Sequence, residues 1–322
     1  MSPGTLHRGT LNRGTLIRGT LRPFARVVLL VVAIPAAHCR NGDDVRPARW
    51  TPDPHTRVAA VAARQNALRT FSEGVLLKPA RNGEANPLFD LAPLILHETS
   101  GSATNDLATP PSLGAVALRT DRAGQSEFVG VDGSRPSVYA ARSSREIAGA
   151  TWEQILFLWW YEKSSSGPSA AHGIRITLGE DGFPLVWEVS KSLAPGALDI
   201  LFVSQTLESE AREAFGPALP ERAFACAQRI ESAPRTIVAR ILEDGPLPMG
   251  PYAYIARNQE LTTLLCRCMP AQVDAIAESK NYALTPLAEL GSWGEKAIDR
   301  AFPSDSLCRR LRWPPSLRRQ EQ

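Results

Sequence analysis

The sequence predicts an α+β fold dominated by antiparallel β-sheet, with a meander of strands over about residues 115–204 and 236–268 and a few flanking helices. The clearest indication is Gln154–Tyr161, an apolar and aromatic run bounded by turn residues, which is typical of a strand. Because the run is continuously apolar, we expect it to be a central strand covered on both faces. The alternative is a helix, since Thr151 and Gln154 have the spacing of a capping box.

A hairpin signal follows this run. Gly173–Leu178 alternates between apolar and polar residues and leads through Asp181-Gly182 into Pro184–Val189. Asp-Gly between two such runs predicts a hairpin, because glycine accepts the positive φ of the turn. Short turns join several consecutive strand candidates, which favours antiparallel neighbours in one sheet. The remaining candidates are 115–119, 127–131, 201–203, 236–242, 252–255 and 264–268.

Four segments have helical patterns. The segment 206–215 is typical, with acidic residues early and Gly216 directly after its last turn. The others are residues 56–73, 270–280 and about 295–302. Between the strands, Gly245–Pro251 contains three prolines, which remove backbone donors and predict a stiff loop outside the sheet.

The aromatic residues of the central region are expected to lie in the core. An antiparallel sheet must cover at least one face, and this favours burial of Trp159, Trp160, Tyr161 and Trp187. The alternative is that these rings form a platform for a ligand such as a sugar or a peptide.

The N-terminal residues have the anatomy of a secretory signal. Residues 1–38 repeat Gly-Thr-Leu-x-Arg and then place the apolar run Val27–Ile34 before small residues. This run is too short to span a bilayer as a mature helix, so we expect export after cleavage near Ala36 or Ala37. Cys39 lies where a lipoprotein signal has its acylated cysteine, although His38 departs from that motif. Other interpretations are a buried strand, a transit peptide, or a DNA repeat upstream of the true start, which would leave the protein cytoplasmic.

The expected organisation is a leader at 1–38, a linker at 39–54, one α+β domain at 55–302 and a basic, disordered tail at 303–322. The leader contains five arginines and no acidic residue, so the net charge of +3 falls to −2 without it. The basic tail leaves residues 39–302 at −5. A body with this charge lacks the footprint of a nucleic-acid binder, and membrane association is expected only through the N-terminus.

Two cysteines form the sharpest chemical feature. Cys266 and Cys268 would point to the same side of a strand, but a metal site would need further ligands from Cys226, Cys308, His97 or His172, and their spacing matches no zinc pattern. Disulfides are the alternative, and small buried side chains are the third interpretation. We expect Cys266 and Cys268 not to bond to each other, because Cα atoms two residues apart on a strand lie about 6.5–7 Å apart. If the compartment is oxidising, bonds to Cys226 or Cys308 are favoured instead.

A catalytic hypothesis rests on His97 and Glu98, with Ser100 or Ser102 as the nucleophile. The sequence contains no Gly-x-Ser-x-Gly elbow, and a lone histidine at the end of a strand is more often structural. His172 is expected to be solvated. The signatures for dinucleotides, phosphates, zinc proteases and calcium are absent from the sequence, so no cofactor is expected.

These observations favour an exported cell-envelope protein that acts as a non-catalytic binding or structural module. It would present a sheet surface or the loop Gly245–Pro251 to a protein or a small ligand. The alternatives are a hydrolase around His97 and Glu98 and a thiol or metal protein that uses Cys266 and Cys268.

Overall fold

The structure is a computed structural model of a chain that divides into the units Met1–Trp50 and Thr51–Gln322. It describes only residues of the second unit: 74–81, 87–99, 112–122, 124, 126–162, 171–190, 199–219, 222–228, 236–256, 261–267, 276–302 and 307–318. The expected leader, linker and helix at 56–73 therefore lie outside the described residues. Within the described residues, no helix combines the length and the apolar character needed to cross a bilayer.

The described residues are rich in strands and contain few helices. The strands are β1 (Gly74–Pro79), β2 (Leu94–Glu98), β3 (Leu113–Thr120), β4 (Ser126–Asp132), β5 (Ser137–Ile147), β6 (Ala150–Tyr161), β7 (Ala171–Leu178), β8 (Pro184–Val189), β9 (Asp199–Ser204), β10 (Thr236–Leu242), β11 (Pro251–Ile255), β12 (Leu261–Cys266) and β13 (Ile276–Pro286). The α-helices are α1 (Pro87–Leu91), α2 (Gln205–Phe215) and α3 (Gly291–Ala301). Short 3-10 helices span Leu287–Leu290, Leu307–Arg310 and Pro315–Leu317.

The strands form one mixed sheet in the order β10-β9-β8-β7-β6-β5-β13-β1-β2-β11-β12, and β3 and β4 lie off this path, with β3 paired to β4 and to β6. The antiparallel meander is confirmed from β5 to β9. Four other pairings are parallel: β9 with β10, β5 with β13, β13 with β1, and β2 with β11. The expectation of a mainly antiparallel sheet is therefore only partly right. Short turns predict antiparallel neighbours, whereas parallel pairs join segments that are distant in the sequence.

The strand β13 corrects the helix expected at 270–280. Residues from Ile276 onward are extended and pair with β1 along Gly74–Pro79 and with β5 along Ser137–Ala140. Hydrogen bonding on both sides overrides a weak local preference for helix. The earlier residues of that prediction lie outside the described ranges.

The central strand is confirmed as β6, and the helix alternative is wrong. Every residue from Gln154 to Tyr161 is buried, and β6 pairs with β5 and β7. Phe157, Trp159 and Tyr161 enter one core cluster, whereas Leu158 and Trp160 enter a second cluster on the opposite face. Trp159, Trp160, Tyr161 and Trp187 are all at most 5% exposed. These rings are therefore core residues and not a ligand platform.

The helix expected at 206–215 is confirmed as α2. The Ser204 side chain accepts a hydrogen bond from the backbone N–H of Leu207 at 3.0 Å, which caps the first turn. Gly216 ends the helix with a positive φ of 76°, and its N–H donates to the Arg212 carbonyl. The helix expected near 295–302 is also present, as α3.

The C-terminal segment corrects the expectation of a disordered tail. Cys308, Leu311 and Trp313 are buried in a core cluster together with Trp152. The Trp152 and Trp313 rings lie 4.6 Å apart, and a backbone bridge joins Ala227 to Leu311. Basic residues are interspersed with these apolar ones, and Arg309 and Arg310 are exposed while Leu311 and Trp313 are buried.

A buried ion pair between Arg175 and Glu188 holds the C-terminal segment, residues 307–318, to the sheet. The Arg175 side chain donates to the Glu188 carboxylate, and both side chains are at most 6% exposed. Glu188 also accepts the backbone N–H of Cys308 at 2.9 Å. The Arg175 guanidinium lies 4.7 Å from the centre of the Phe302 ring. Strands β7 and β8 and the C-terminal segment thus meet at one ion pair.

We expect Glu188→Ala to lower the free energy of unfolding by about 3–5 kcal/mol, because it leaves the buried Arg175 charge without its partner. The matched control is Glu127→Ala, which removes an exposed pair with Arg119 and should cost less than about 1 kcal/mol. Urea denaturation of the purified proteins measures both changes. Equal losses in the two variants would contradict the role of the buried pair.

Candidate functional site

The proposed catalytic histidine is buried. His97 is 4% exposed, its Nδ1 lies 3.1 Å from the Glu98 carbonyl oxygen, and its ring packs edge-on against Tyr161 at 5.6 Å. Burial lowers the pKa of His97, although the Glu98 carbonyl and charge act in the opposite direction. Within the described residues its Nε2 has no hydrogen-bond partner. Ser100 and Ser102 lie outside those residues, so no nucleophile is placed beside this imidazole.

The expectation that His172 is solvated is wrong. His172 lies on β7, where it is half-buried, and its ring contacts Tyr161 at 5.7 Å and Trp159 at 6.2 Å. Tyr161 therefore lies against two imidazole rings, and its hydroxyl accepts a hydrogen bond from Trp159 Nε1 at 3.2 Å. Burial raises the pKa of Tyr161, so this phenol stays protonated. The group is a packed aromatic cluster.

The disulfide expected to involve Cys226 or Cys308 is not present. Cys266 is in a disulfide, and its partner lies outside the described residues, as do Cys39 and Cys268. Cys226 and Cys308 are buried and are not in a disulfide, so neither is that partner. Burial, reinforced by Glu208, raises the pKa of Cys226 and keeps it a thiol. A disulfide sulfur is not a thiolate ligand, and the described residues contain no group of three metal-binding side chains.

A ligand-sized groove lies between the β3–β4 hairpin and the sheet. The hairpin pairs with β6 only through Leu113 and Gly114, and then it leaves the sheet. A Cβ atom on Gly114 would come within 2.2 Å of the Asp132 carbonyl oxygen, so the departure requires glycine. The groove has a volume of about 570 Å³ and is bordered by β3, the beginning of β5, the end of β13 and the 3-10 helix Leu287–Leu290.

Two sets of contacts fix the walls of this groove. The Tyr139 hydroxyl accepts the backbone N–H of Val116 at 2.8 Å, which ties the hairpin to the sheet. On the other side of the hairpin Phe128 stacks on Trp293 at 5.4 Å, and Trp293 contacts Trp160 at 5.3 Å. The groove is therefore held open by packed aromatic residues and not by an isolated loop.

The lining combines an apolar wall with a polar rim. Val116, Leu118 and Leu290 supply apolar surface, whereas Arg135 and Glu289 supply charges of opposite sign. Arg135 donates to Asp132 at 2.7 Å, and hydrogen bonds from Ser134 and then from Arg135 hold the pKa of Asp132 below its ordinary value. Burial raises the pKa of Tyr139, so its hydroxyl remains a neutral donor and acceptor.

The sequence indicated none of these groove residues as a site. The only local signals were the β3–β4 hairpin itself and the turn after it, where the Asp132 carboxylate accepts the backbone N–H of Ser134 at 3.1 Å. The groove needs β13, which pairs beside the start of β5 from a point far along the chain. Such a juxtaposition leaves no pattern in a single sequence.

Comparison with known protein families, with curated proteins and with solved structures finds no match. The fold and the groove together define a mixed-sheet α+β protein with a preformed concave site. Its function is therefore inferred from the geometry of its own residues.

The buried His97 predicts a pH dependence of stability. Its pKa in the fold is below the ordinary 6.5, so as the pH falls through that value the unfolded chain takes up a proton that the folded chain resists. We expect the free energy of unfolding to decrease between about pH 8 and about pH 5.5, with at most about 1.4 kcal/mol per pH unit from this group.

Urea denaturation at both pH values, in wild type and in His97→Gln, measures this contribution. Glutamine does not titrate, so the variant should have a smaller decrease. If the two proteins lose the same stability, the buried imidazole is not the cause.

Proposed function

We propose that this protein is a non-catalytic binding module of the cell envelope and that the groove beside the β3–β4 hairpin is its ligand site. The observation that carries the proposal is the groove itself. Its volume of about 570 Å³ falls within the range of about 300–1,000 Å³ that is typical of small-molecule sites. An apolar wall with a few polar groups at the rim is also the usual composition of such sites.

The groove is preorganised, and this favours binding. Tyr139 is 4% exposed and anchors the edge of β3, while the stack of Phe128 on Trp293 anchors β4 to α3. A ligand that enters a rigid groove orders few side chains, so less of its interaction energy offsets lost entropy. The loop Gly245–Pro251, proposed from the sequence as a second surface, borders a cavity of only about 20 Å³, which is room for about one water molecule.

The hydrolase alternative has less support. A general base must reach substrate at an accessible cleft, beside a nucleophile and an orienting group. His97 is buried against Tyr161, and its Nδ1 is engaged by the neighbouring backbone carbonyl. These contacts favour a structural role for the imidazole.

Two observations support export. Residues 1–38 have the charge and hydropathy pattern of a secretory signal. Cys266 is in a disulfide, and disulfides persist mainly in oxidising compartments. Anchoring through Cys39 is part of this proposal, and it would hold the module at a membrane surface. A lipidated Cys39 has no thiol left, so the disulfide partner of Cys266 would then be Cys268, against the expectation from strand geometry.

Filling the groove should abolish ligand binding. Ala283 lies in the groove lining on β13, and we expect Ala283→Trp to weaken binding of the neutral dye prodan by at least about ten-fold, because an indole occupies a large part of the apolar site. The control is Ser279→Trp, on an exposed position of the same strand about 13 Å away and outside the groove. Dye fluorescence titration measures both. Equal affinities in the two variants would contradict the proposed site.

Export is tested by intact-mass analysis of the natively produced protein. We expect a mature chain that begins just after Ala36 or Ala37, or one that begins at Cys39 and carries the extra mass of attached lipid. A cytosolic protein that begins at Met1 would contradict the envelope location and leave the groove prediction intact.

A further inference from the structure

Of the two charged side chains that line the groove, Arg135 is in an ion pair, whereas Glu289 makes none with a described residue. Arg135 and Asp132 form an ion pair at 2.7 Å, so the guanidinium already has a carboxylate partner. Glu289 is exposed on the 3-10 helix Leu287–Leu290, and it makes no ion pair with any described residue. The groove therefore offers one uncompensated negative charge to a ligand.

The neutral polar groups of the lining add acceptors. Thr285 lines the groove with a half-buried hydroxyl that has no hydrogen bond to another described residue. Among the described residues, the Tyr139 hydroxyl accepts the Val116 N–H and makes no other hydrogen bond, so the phenol retains one proton to donate and one lone pair. Carboxylate and hydroxyl oxygens are the groups that satisfy the three donors of an ammonium ion.

An anionic ligand is disfavoured by the same contacts. Carboxylates and phosphates are bound by guanidinium groups, and the guanidinium that the described residues supply to the lining, Arg135, donates its Nε–H to Asp132, so an anion there would meet the negative charge of Asp132. Binding an anion would also place it near Glu289, at a cost from like-charge repulsion. The apolar wall of Val116, Leu118 and Leu290 suits a hydrocarbon chain more than a sugar, whose hydroxyl groups would lose their hydrogen bonds to water.

We propose that the ligand of the groove is a small amphipathic amine, with its ammonium at Glu289 and its apolar chain along Val116, Leu118 and Leu290. This inference rests on the proposed binding function and adds the chemical class of the ligand. Electrostatic complementarity sets the orientation of the amine, while burial of the chain supplies most of the affinity.

The test compares three six-carbon probes that differ only in the head group: hexylamine, hexan-1-ol and hexanoate. Each displaces prodan from the purified full-length protein near neutral pH, where the amine is charged. We expect hexylammonium to bind about five-fold more tightly than hexanoate, with hexan-1-ol between them, since one exposed ion pair contributes a factor of this size.

Glu289→Gln should reduce the affinity for hexylammonium about three-fold and leave hexan-1-ol unchanged, because only the charge is removed. The control is Glu213→Gln on the exposed side of α2, which makes the same substitution away from the groove and should change neither probe.

The outcomes separate the two proposals. If hexanoate binds as tightly as hexylammonium, or if Glu289→Gln leaves the amine affinity unchanged, the amine inference is wrong and the groove remains a binding site. If prodan and all three probes fail to bind, or if Ala283→Trp has no effect on them, the proposed binding function itself is wrong.

Discussion

The strand β6 buries both of its faces, and the rest of the described architecture depends on this constraint. Phe157 and Trp159 project into one cluster, whereas Leu158 and Trp160 project into another. Burial of each such side chain stabilises the fold by roughly 1.5–3 kcal/mol, so other elements must pack on both faces. On one face, residues of β10 and β12 complete the cluster, and these two edge strands contact each other. The opposite face is covered by the β3–β4 hairpin, α3 and the C-terminal segment.

The polar side chains within these covered layers explain why the C-terminal segment is part of the fold. Arg175, Glu188 and Gln154 are all buried, and each must be hydrogen-bonded to avoid a large desolvation cost. Gln154 donates to the Thr177 hydroxyl at 2.8 Å, and that hydroxyl lies 3.5 Å from Cys308 Sγ. Glu188 also accepts the Cys308 N–H. These hydrogen bonds fix the position of the C-terminal segment along the sheet, which burial of its apolar residues alone would not do.

The groove exists because the β3–β4 hairpin packs on one face of β6 without staying paired to it along its length. Only Leu113 and Gly114 remain paired to β6, so the rest of the hairpin can tilt over the second face and place Phe128 on Trp293. The tilt leaves a gap toward β13, and Tyr139 bridges that gap through the Val116 N–H. The hairpin that covers this face of β6 is thus also one wall of the groove. Its contacts through Tyr139 and Phe128 attach that wall to the sheet and to α3.

The sequence by itself determined the elements whose causes are local. The run Gln154–Tyr161 identified β6, Asp181-Gly182 identified the β7–β8 hairpin, and early acidic residues with Gly216 identified α2. The distribution of charge and the signal-like pattern of residues 1–38 are likewise read from the sequence alone, and the leader itself stays a prediction. Only the tertiary structure decided that Ile276–Pro286 is a strand, that the segment around Cys308 is buried, and that Glu289 lies beside Tyr139. The reason is that each depends on partners far away in the chain, which hold these residues more strongly than their own weak local preferences.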